Sequence, residues 1–261
     1  MNGVNKTLYI PLYGKSYVSK KGIILADKKA EEIWDAEGFP LKGKSKSKWL
    51  AYYMGIRSAV FDDWTKAKIG KHPDAVVLHL GCGMDSRVLR TASQGYKWYD
   101  VDFPEVIEER KRYFIEDENY RMLPCDVSKS DWLTDIPEEK CAIVVMEGIS
   151  MYLKAEQLKA LTQSLCSHFG KVYLLMDCYS TFAAKMSKYK NPINDVGVTQ
   201  VYGMDDPNVL TNGNFVLAGA HCMTPQHYID ALQGMERTIF RKLYAGNFSQ
   251  KLYRLYEYHK A

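Results

Sequence analysis

None of the six cysteines stands in a C-x-x-C pair; Cys82, Cys125, Cys141, Cys166, Cys178 and Cys222 are scattered along the 261 residues. That spacing excludes a zinc ribbon and a disulfide scaffold, and it fits a reducing compartment. No apolar run approaches the roughly 20 residues of a membrane span. The start, MNGVNKTLYIPLYGK, has no long apolar signal segment. We therefore expect a cytoplasmic protein with no membrane partner. The histidines form no H-x-E or H-x-x-x-H spacing, so no metal site is expected. No G-x-S-x-G elbow exists, which argues against an α/β-hydrolase. Internal repeats and low-complexity tracts are missing too.

An excess of one charge is equally absent. Lys and Arg number 35 against 31 Asp and Glu, a net +4. The surplus is local: residues 1–50 carry ten Lys and five acids, so +5, and the rest nets −1. That is too mild to argue for a nucleic-acid partner. With 46% hydrophobic residues the composition is that of an ordinary globular chain, long enough to bury a full core.

What is present is an alternation of strands and helices. Residues 1–72 read as a helical cap, with apolar residues at helical spacing in Ala30–Trp34 and Trp49–Trp64. Between them Lys42-Gly43-Lys44-Ser45-Lys46-Ser47-Lys48 reads as a solvated basic loop. From Ala75 short apolar runs follow, at 75–80, 96–101, 120–125, 141–146 and 172–176, separated by helical segments 85–95, 104–114 and 156–169. Thr224-Pro225 opens a further helix ending at Gly234; 238–244 and 251–258, flanking Gly246-Asn247, read as a terminal hairpin. Such alternation predicts an α/β fold: a doubly wound, mostly parallel sheet of seven strands, with an antiparallel hairpin at the end. We take 1–261 as a single domain, with 73–261 a Rossmann-like core. Residues 191–222, rich in Gly, Asn, Asp and Pro, are expected to form a lid or substrate insert, because they are long for a plain connection.

In doubly wound sheets ligands sit beyond the carboxyl ends of the strands. The residues found there carry the functional reading. After the first strand comes Gly81-Cys82-Gly83, whose glycines let a bulky ligand approach the backbone; Ser86 stands where a dinucleotide fingerprint wants its third glycine. After the second comes Asp102, 102 − 83 = 19 residues beyond Gly83. An acid there can accept both hydroxyls of a ribose. It can equally cap the helix at Pro104, and Asp100 shares its face. After the third comes Asp126-Val127, an acceptor for an adenine amine or a helix cap. After the fourth comes Glu147, directly behind an apolar run, where a charge is paired or functional. The ordered set has one simple reading, an S-adenosylmethionine site: glycines along the methionine portion, Asp102 on the ribose, Asp126 on the adenine and Glu147 towards the ammonium. Tyr152 and Tyr179 sit beyond strand ends where an acceptor would bind. His79, by contrast, alternates into the first strand and reads as a core histidine.

Three stretches carry a family resemblance: Val77-Leu78-His79-Leu80-Gly81-Cys82-Gly83-Met84-Asp85-Ser86-Arg87, then Tyr99-Asp100-Val101-Asp102-Phe103-Pro104-Glu105-Val106-Ile107, then Met146-Glu147-Gly148-Ile149-Ser150-Met151-Tyr152-Leu153. The chain resembles the leucine carboxyl methyltransferase family, in its bacterial and archaeal branch, over about residues 15–180. The resemblance implies a class I methyltransferase fold, S-adenosylmethionine as cofactor and a carboxylate or hydroxyl acceptor. It also implies that Arg57 reaches the cofactor carboxylate, assisted by a lysine near the N-terminus, for which Lys21 is the best match and Lys20 the neighbour. The expected acceptor is a small molecule. The rival readings are RNA or a protein C-terminal carboxylate as acceptor, a nicotinamide-dependent oxidoreductase, and a module that binds the cofactor without turnover.

Overall fold

The computed structural model describes residues 6–91, 95–129, 131–190, 192–198 and 200–261. Helices α1 (Tyr9–Lys20), α2 (Lys28–Glu37) and α3 (Lys48–Lys71) precede the first strand. Asp27 caps α2 by accepting from the Ala30 N–H, and Ser47 caps α3 through the Trp49 N–H. Between these helices Gly43–Lys46 forms a short 3-10 turn whose lysines are exposed, as a solvated basic loop requires.

Strands and helices then alternate: β1 (Val76–Leu80), α4 (Arg87–Thr91), β2 (Trp98–Asp102), α5 (Pro104–Arg110), β3 (Tyr120–Pro124), β4 (Cys141–Met146), α6 (Ala155–His168), β5 (Lys171–Tyr179), α7 (Thr181–Lys190) and β6 (Phe215–His221). The chain closes through α8 (Gln226–Asp230), α9 (Gly234–Tyr244), α10 (Asn247–Leu252) and β7 (Tyr253–Lys260). The strands form one sheet of order β3-β2-β1-β4-β5-β7-β6. The first five are mutually parallel, and β7 runs antiparallel between β5 and β6. Order reverses between β1 and β4, which is where a doubly wound sheet opens its ligand crevice.

The apolar runs follow from burial on both faces. Val77, Ile143, Val145 and Leu175 pack into one core; Val76, Leu78, Leu80, Val144 and Met176 pack into the other. With a side-chain period of two and helices on each side, every position of β1 and β4 is buried, so alternation with polar residues is lost.

The C-terminal antiparallel pair exists, but its members differ from those expected. Thr238–Tyr244 belongs to helix α9, and the partner of β7 is Phe215–His221, the last part of the expected 191–222 insert. Residues 234–244 are rich in helix formers, with Glu236 in the first turn and Arg241 and Lys242 in the last, which suits the helix dipole. Residues 215–221 carry no Asp, Glu, Lys or Arg and add an edge strand along β7. The closing strand begins at Tyr253 because Lys251 and Leu252 still belong to α10. Helix α5 stops at Arg110 rather than Phe114, and the helix after Pro225 stops at Asp230 rather than Gly234. Of the helix expected at 85–95, Arg87–Thr91 is helical; residues 92–94 lie outside the described ones, as does Asn191 at the head of the expected insert.

Candidate active-site cavity

A cavity of about 460 Å³ opens at the carboxyl ends of β1 to β5. Gly81, Gly83, Asp102, Asp126, Val127, Glu147, Tyr152 and Tyr179 all line it, and Arg57 does so from α3. Helix α1 and the turn before it form one wall through Leu8, Pro11 and Lys15; Pro192 and Ile193 reach it from beyond α7.

The first loop shows why glycine is needed. Gly81 has φ +67° and Gly83 φ +50°, the left-handed region. A Cβ on Gly81 would lie 2.0 Å from Cγ2 of Ile149, so a side chain there would both strain the turn and fill the crevice. The Gly81 N–H donates to the Val101 carbonyl, which ties the loop to the end of β2.

The two candidate aspartates of β2 take different roles. Asp100 points into the interior, where it accepts from Arg110, Tyr120 and the Trp98 indole N–H (2.9 Å) and lies 3.1 Å from Nδ1 of His79. Burial raises its pKa, but the Arg110 guanidinium and these partners outweigh that and hold it at about 2. Asp102 faces the cavity. Its Oδ2 accepts from the Gly83 N–H and its Oδ1 from the Phe103 N–H, each at 2.8 Å. Burial pushes its carboxyl up to about 6 against the pull of those two donors. Each oxygen keeps a second lone pair for an incoming hydroxyl. Asp102 does not cap α5, whose N-cap is Phe103 with no side-chain cap bond; it holds the backbone just before the helix and lines the cavity. Asp126 likewise caps no helix among the described residues; it accepts from the Ser128 N–H at 3.0 Å within a turn while lining the cavity.

His79 is the core histidine expected. Its Nδ1 meets Asp100, and its Nε2 lies 3.2 Å from Nη1 of Arg87. Arg87 can only donate, which assigns the neutral ring with its proton on Nδ1. Burial keeps the ring neutral by lowering its pKa.

Glu147 does not stand free. Its Oε1 accepts from Nε of Arg57 and lies 3.0 Å from Nη2; its Oε2 accepts from Arg87. Burial opposes ionisation, yet the two guanidiniums hold this carboxyl at about 2. The charge behind β4 is therefore paired, and the pair brings Arg57 to the cavity. Arg57 also donates through Nη1 to the Tyr253 hydroxyl (2.8 Å), with Asp177 Oδ2 at 3.3 Å.

Neither lysine expected near the cofactor is among the lining residues of the cavity. Lys21 is not among the cavity-lining residues: its Nζ donates to the Tyr52 hydroxyl at 2.6 Å and lies 3.5 Å from Glu236 on α9. Lys20 pairs with Asp35 on the surface. Lys15 is the buried one, 3.0 Å from Asp85 Oδ2 at the cavity wall. A sequence signal for it exists. It falls with Leu12 and Ser19 on the buried face of α1, and a lysine at a core position needs a partner. Asp177 and Tyr253 are also contacts of Arg57 that sequence reasoning missed.

The family model of leucine carboxyl methyltransferase matches residues 9–166. The chain is similar to the tetracenomycin polyketide synthesis O-methyltransferase TcmP of Streptomyces glaucescens, 30% identical over 212 residues, covering 80% of this chain and 78% of that protein. It is 24% identical over 233 residues to the S-adenosyl-L-methionine-dependent methyltransferase dpfgK of Gibberella zeae, with the same coverage of 80% and 78%. In fold it resembles magnesium protoporphyrin IX methyltransferase from Synechocystis PCC 6803, solved with bound SAH (TM-score 0.53, 14% identity, 95% of this chain and 97% of that one). It also resembles a DUF574 family protein from Streptomyces avermitilis (TM-score 0.59, 10% identity, 94% and 95%).

Proposed function

The chain belongs to the leucine carboxyl methyltransferase family as an S-adenosylmethionine-dependent methyltransferase, and from that premise we propose that it methylates a small molecule on a carboxylate oxygen. The family assignment displaces the nicotinamide-dependent reading, which the missing third glycine at Ser86 already disfavoured.

The residues present fit the cofactor. A cavity of about 460 Å³ lies within the usual size of a small-molecule site. Its floor is the bare backbone of Gly81 and Gly83, which a Cβ would fill. Lys15 and Arg57, the two lysine or arginine side chains among the described lining residues, would hold the amino-acid carboxylate. Asp102 would accept the ribose hydroxyls, and Asp126 with Val127 would flank the adenine. When bound, the cofactor supplies an electron-poor methyl group on a sulfonium centre. The chain's own part is to align the acceptor and exclude water.

The observation that carries the choice of acceptor is the state of the cavity's titratable groups. Burial pushes the Tyr152 and Tyr253 phenols above their ordinary range and the Cys125 thiol up to about 12. The imidazole of His79 is locked between Asp100 and Arg87, and Glu147 is held ionised by two guanidiniums. Burial pushes Asp102 up to about 6, and we assign that carboxyl to the ribose. A carboxylate acceptor needs no base, because with a pKa near 4 it is ionised at pH 7; a phenol near 10 is only about 0.1% ionised. The test is chemical. The enzyme is incubated with methyl-labelled cofactor and a panel of small carboxylic acids, and the labelled product is treated with mild base. An ester releases volatile labelled methanol. Base-stable label would overturn the carboxylate acceptor and leave the methyltransferase standing.

A second expectation concerns the lysines. Lys15→Met is expected to weaken binding of S-adenosylhomocysteine by about 1.5–3 kcal/mol, the range for a hydrogen bond to a charged group. Lys21→Met should leave it unchanged, since that ammonium lies on Tyr52 and Glu236. Calorimetry giving the reverse order would move the carboxylate contact to Lys21.

A further inference from the structure

The Arg57 guanidinium is gripped from both ends. Its Nε and Nη2 face Oε1 of Glu147, and its Nη1 faces the Tyr253 hydroxyl and Asp177. The second grip is built by two neighbouring strands. In the β5–β7 register Tyr179 stands opposite Tyr253, so Asp177, two residues earlier on β5, shares the face of Tyr253 and is its diagonal neighbour. Asp177 is fully buried. Its Oδ1 accepts from the Gly148 N–H at 2.8 Å, and its Oδ2 accepts from the Tyr253 hydroxyl. Because that hydroxyl has one proton and gives it to Asp177, only its lone pairs face Arg57. The direction of the whole chain is thereby fixed. A guanidinium carries five N–H groups, and these contacts occupy most of them. What remains free is aimed by the grip, and Arg57 lines the cavity.

We propose that Asp177 and Tyr253 are positioning residues that set the Arg57 guanidinium for the amino-acid carboxylate of the cofactor. The inference rests on the reading of Arg57 above. Both residues lie beyond residue 166, where the family match ends, so the part of the chain outside that match completes a contact begun inside it. Tyr253 lines the cavity as well, its ring 4.8 Å from that of Tyr179. One phenol therefore touches the acceptor wall with its ring and aims the cofactor's arginine with its hydroxyl.

The test compares two ligands by calorimetry. S-adenosylhomocysteine carries the amino-acid carboxylate, whereas 5′-deoxy-5′-methylthioadenosine lacks it and keeps the ribose and adenine. Tyr253→Phe keeps the ring packing and removes the hydroxyl. It is expected to weaken S-adenosylhomocysteine about tenfold, the scale of one lost hydrogen bond to a charged group, and to leave methylthioadenosine within about twofold. Asp177→Asn should shift the same ligand selectively, and it decides the matter should Tyr253→Phe not fold. A merely structural role would weaken both ligands alike, and that result overturns the proposal, as does no change in either. A wild-type protein that binds S-adenosylhomocysteine no tighter than methylthioadenosine would instead overturn the carboxylate role of Arg57 itself.

Discussion

An Arg87→Ala variant is expected to lose about 3–5 kcal/mol of folding stability, the scale for breaking a buried ion pair by removing one partner. Arg87 is fully buried, and its guanidinium reaches Asp62 at 2.8 Å, Ser58 at 3.2 Å, Asp85 at 3.3 Å and the second oxygen of Glu147. It ties α3, the glycine turn and the end of β4 together, so its loss takes one cation from three buried acids at once, leaving Asp62 to Arg90, Asp85 to Lys15 and Arg90, and Glu147 to Arg57. The acids then titrate differently. Glu147 is held at about 2 in the folded protein against an ordinary 4.5. A depressed carboxyl contributes stability above its unfolded pKa, and that stability is lost as pH falls from about 4.5 towards 2. Without Arg87 the depression shrinks but Arg57 still holds the carboxyl down, so the variant loses part of this contribution at neutral pH. Its deficit against the wild type should therefore narrow as pH falls from about 5 to 3. Urea unfolding followed by circular dichroism at pH 7 and pH 4 measures both effects. An unchanged midpoint at pH 7 would show that the network does not hold these elements together.

Much of this arrangement was legible in the sequence, and the legible parts are local. β1 and β4 announce themselves because both their faces are buried, which leaves continuous apolar runs. Gly81 and Gly83 are legible because glycine suits their left-handed backbone, which lies beside Ile149 at Gly81 and beside Leu8 at Gly83. Glu147 is legible because an acid behind four apolar residues demands a partner. What the sequence hid depends on distant pairing. Asp100 and Asp102 share a face, and only the positions of Arg110 and Tyr120 decide that Asp100 is taken inward. Lys15 and Lys21 both lie at α1 or its end; the packing of that helix against the rest decides which is buried. The contact between Tyr253 and Arg57 spans 253 − 57 = 196 residues and depends on β7 entering the sheet beside β5. The mistaken hairpin at 238–244 has the same root. Gly246-Asn247 resembles a turn locally, while the true strand partner, β6, lies further back in the chain.

Arg57→Ala is expected to weaken S-adenosylmethionine and S-adenosylhomocysteine together, by about 2–5 kcal/mol, the cost of truncating one partner of a buried, hydrogen-bonded charge pair. Both ligands carry the amino-acid carboxylate that we propose Arg57 meets, so the methyl group should not matter to the loss. The size follows from desolvation. The Arg57 side chain is 6% exposed, and a carboxylate bound beside it exchanges water for a cation in a low-dielectric pocket. Removing the cation leaves that carboxylate near Glu147 and Asp177, with Lys15 and the Arg87 that Glu147 keeps as the remaining cations. The variant also loses folding stability, since Asp177 and Glu147 lose a partner; Glu147 keeps Arg87, so the fold should survive. Arg57→Lys separates charge from geometry. An ammonium restores the positive charge but cannot serve Glu147 and Tyr253 at once through a planar fork, so it should recover only part of the affinity. Calorimetry on folded variants reads the outcome. Unchanged affinity for both ligands in Arg57→Ala would move the carboxylate contact to another residue, and full recovery in Arg57→Lys would mean that charge alone, without the two-ended grip, is what the site uses.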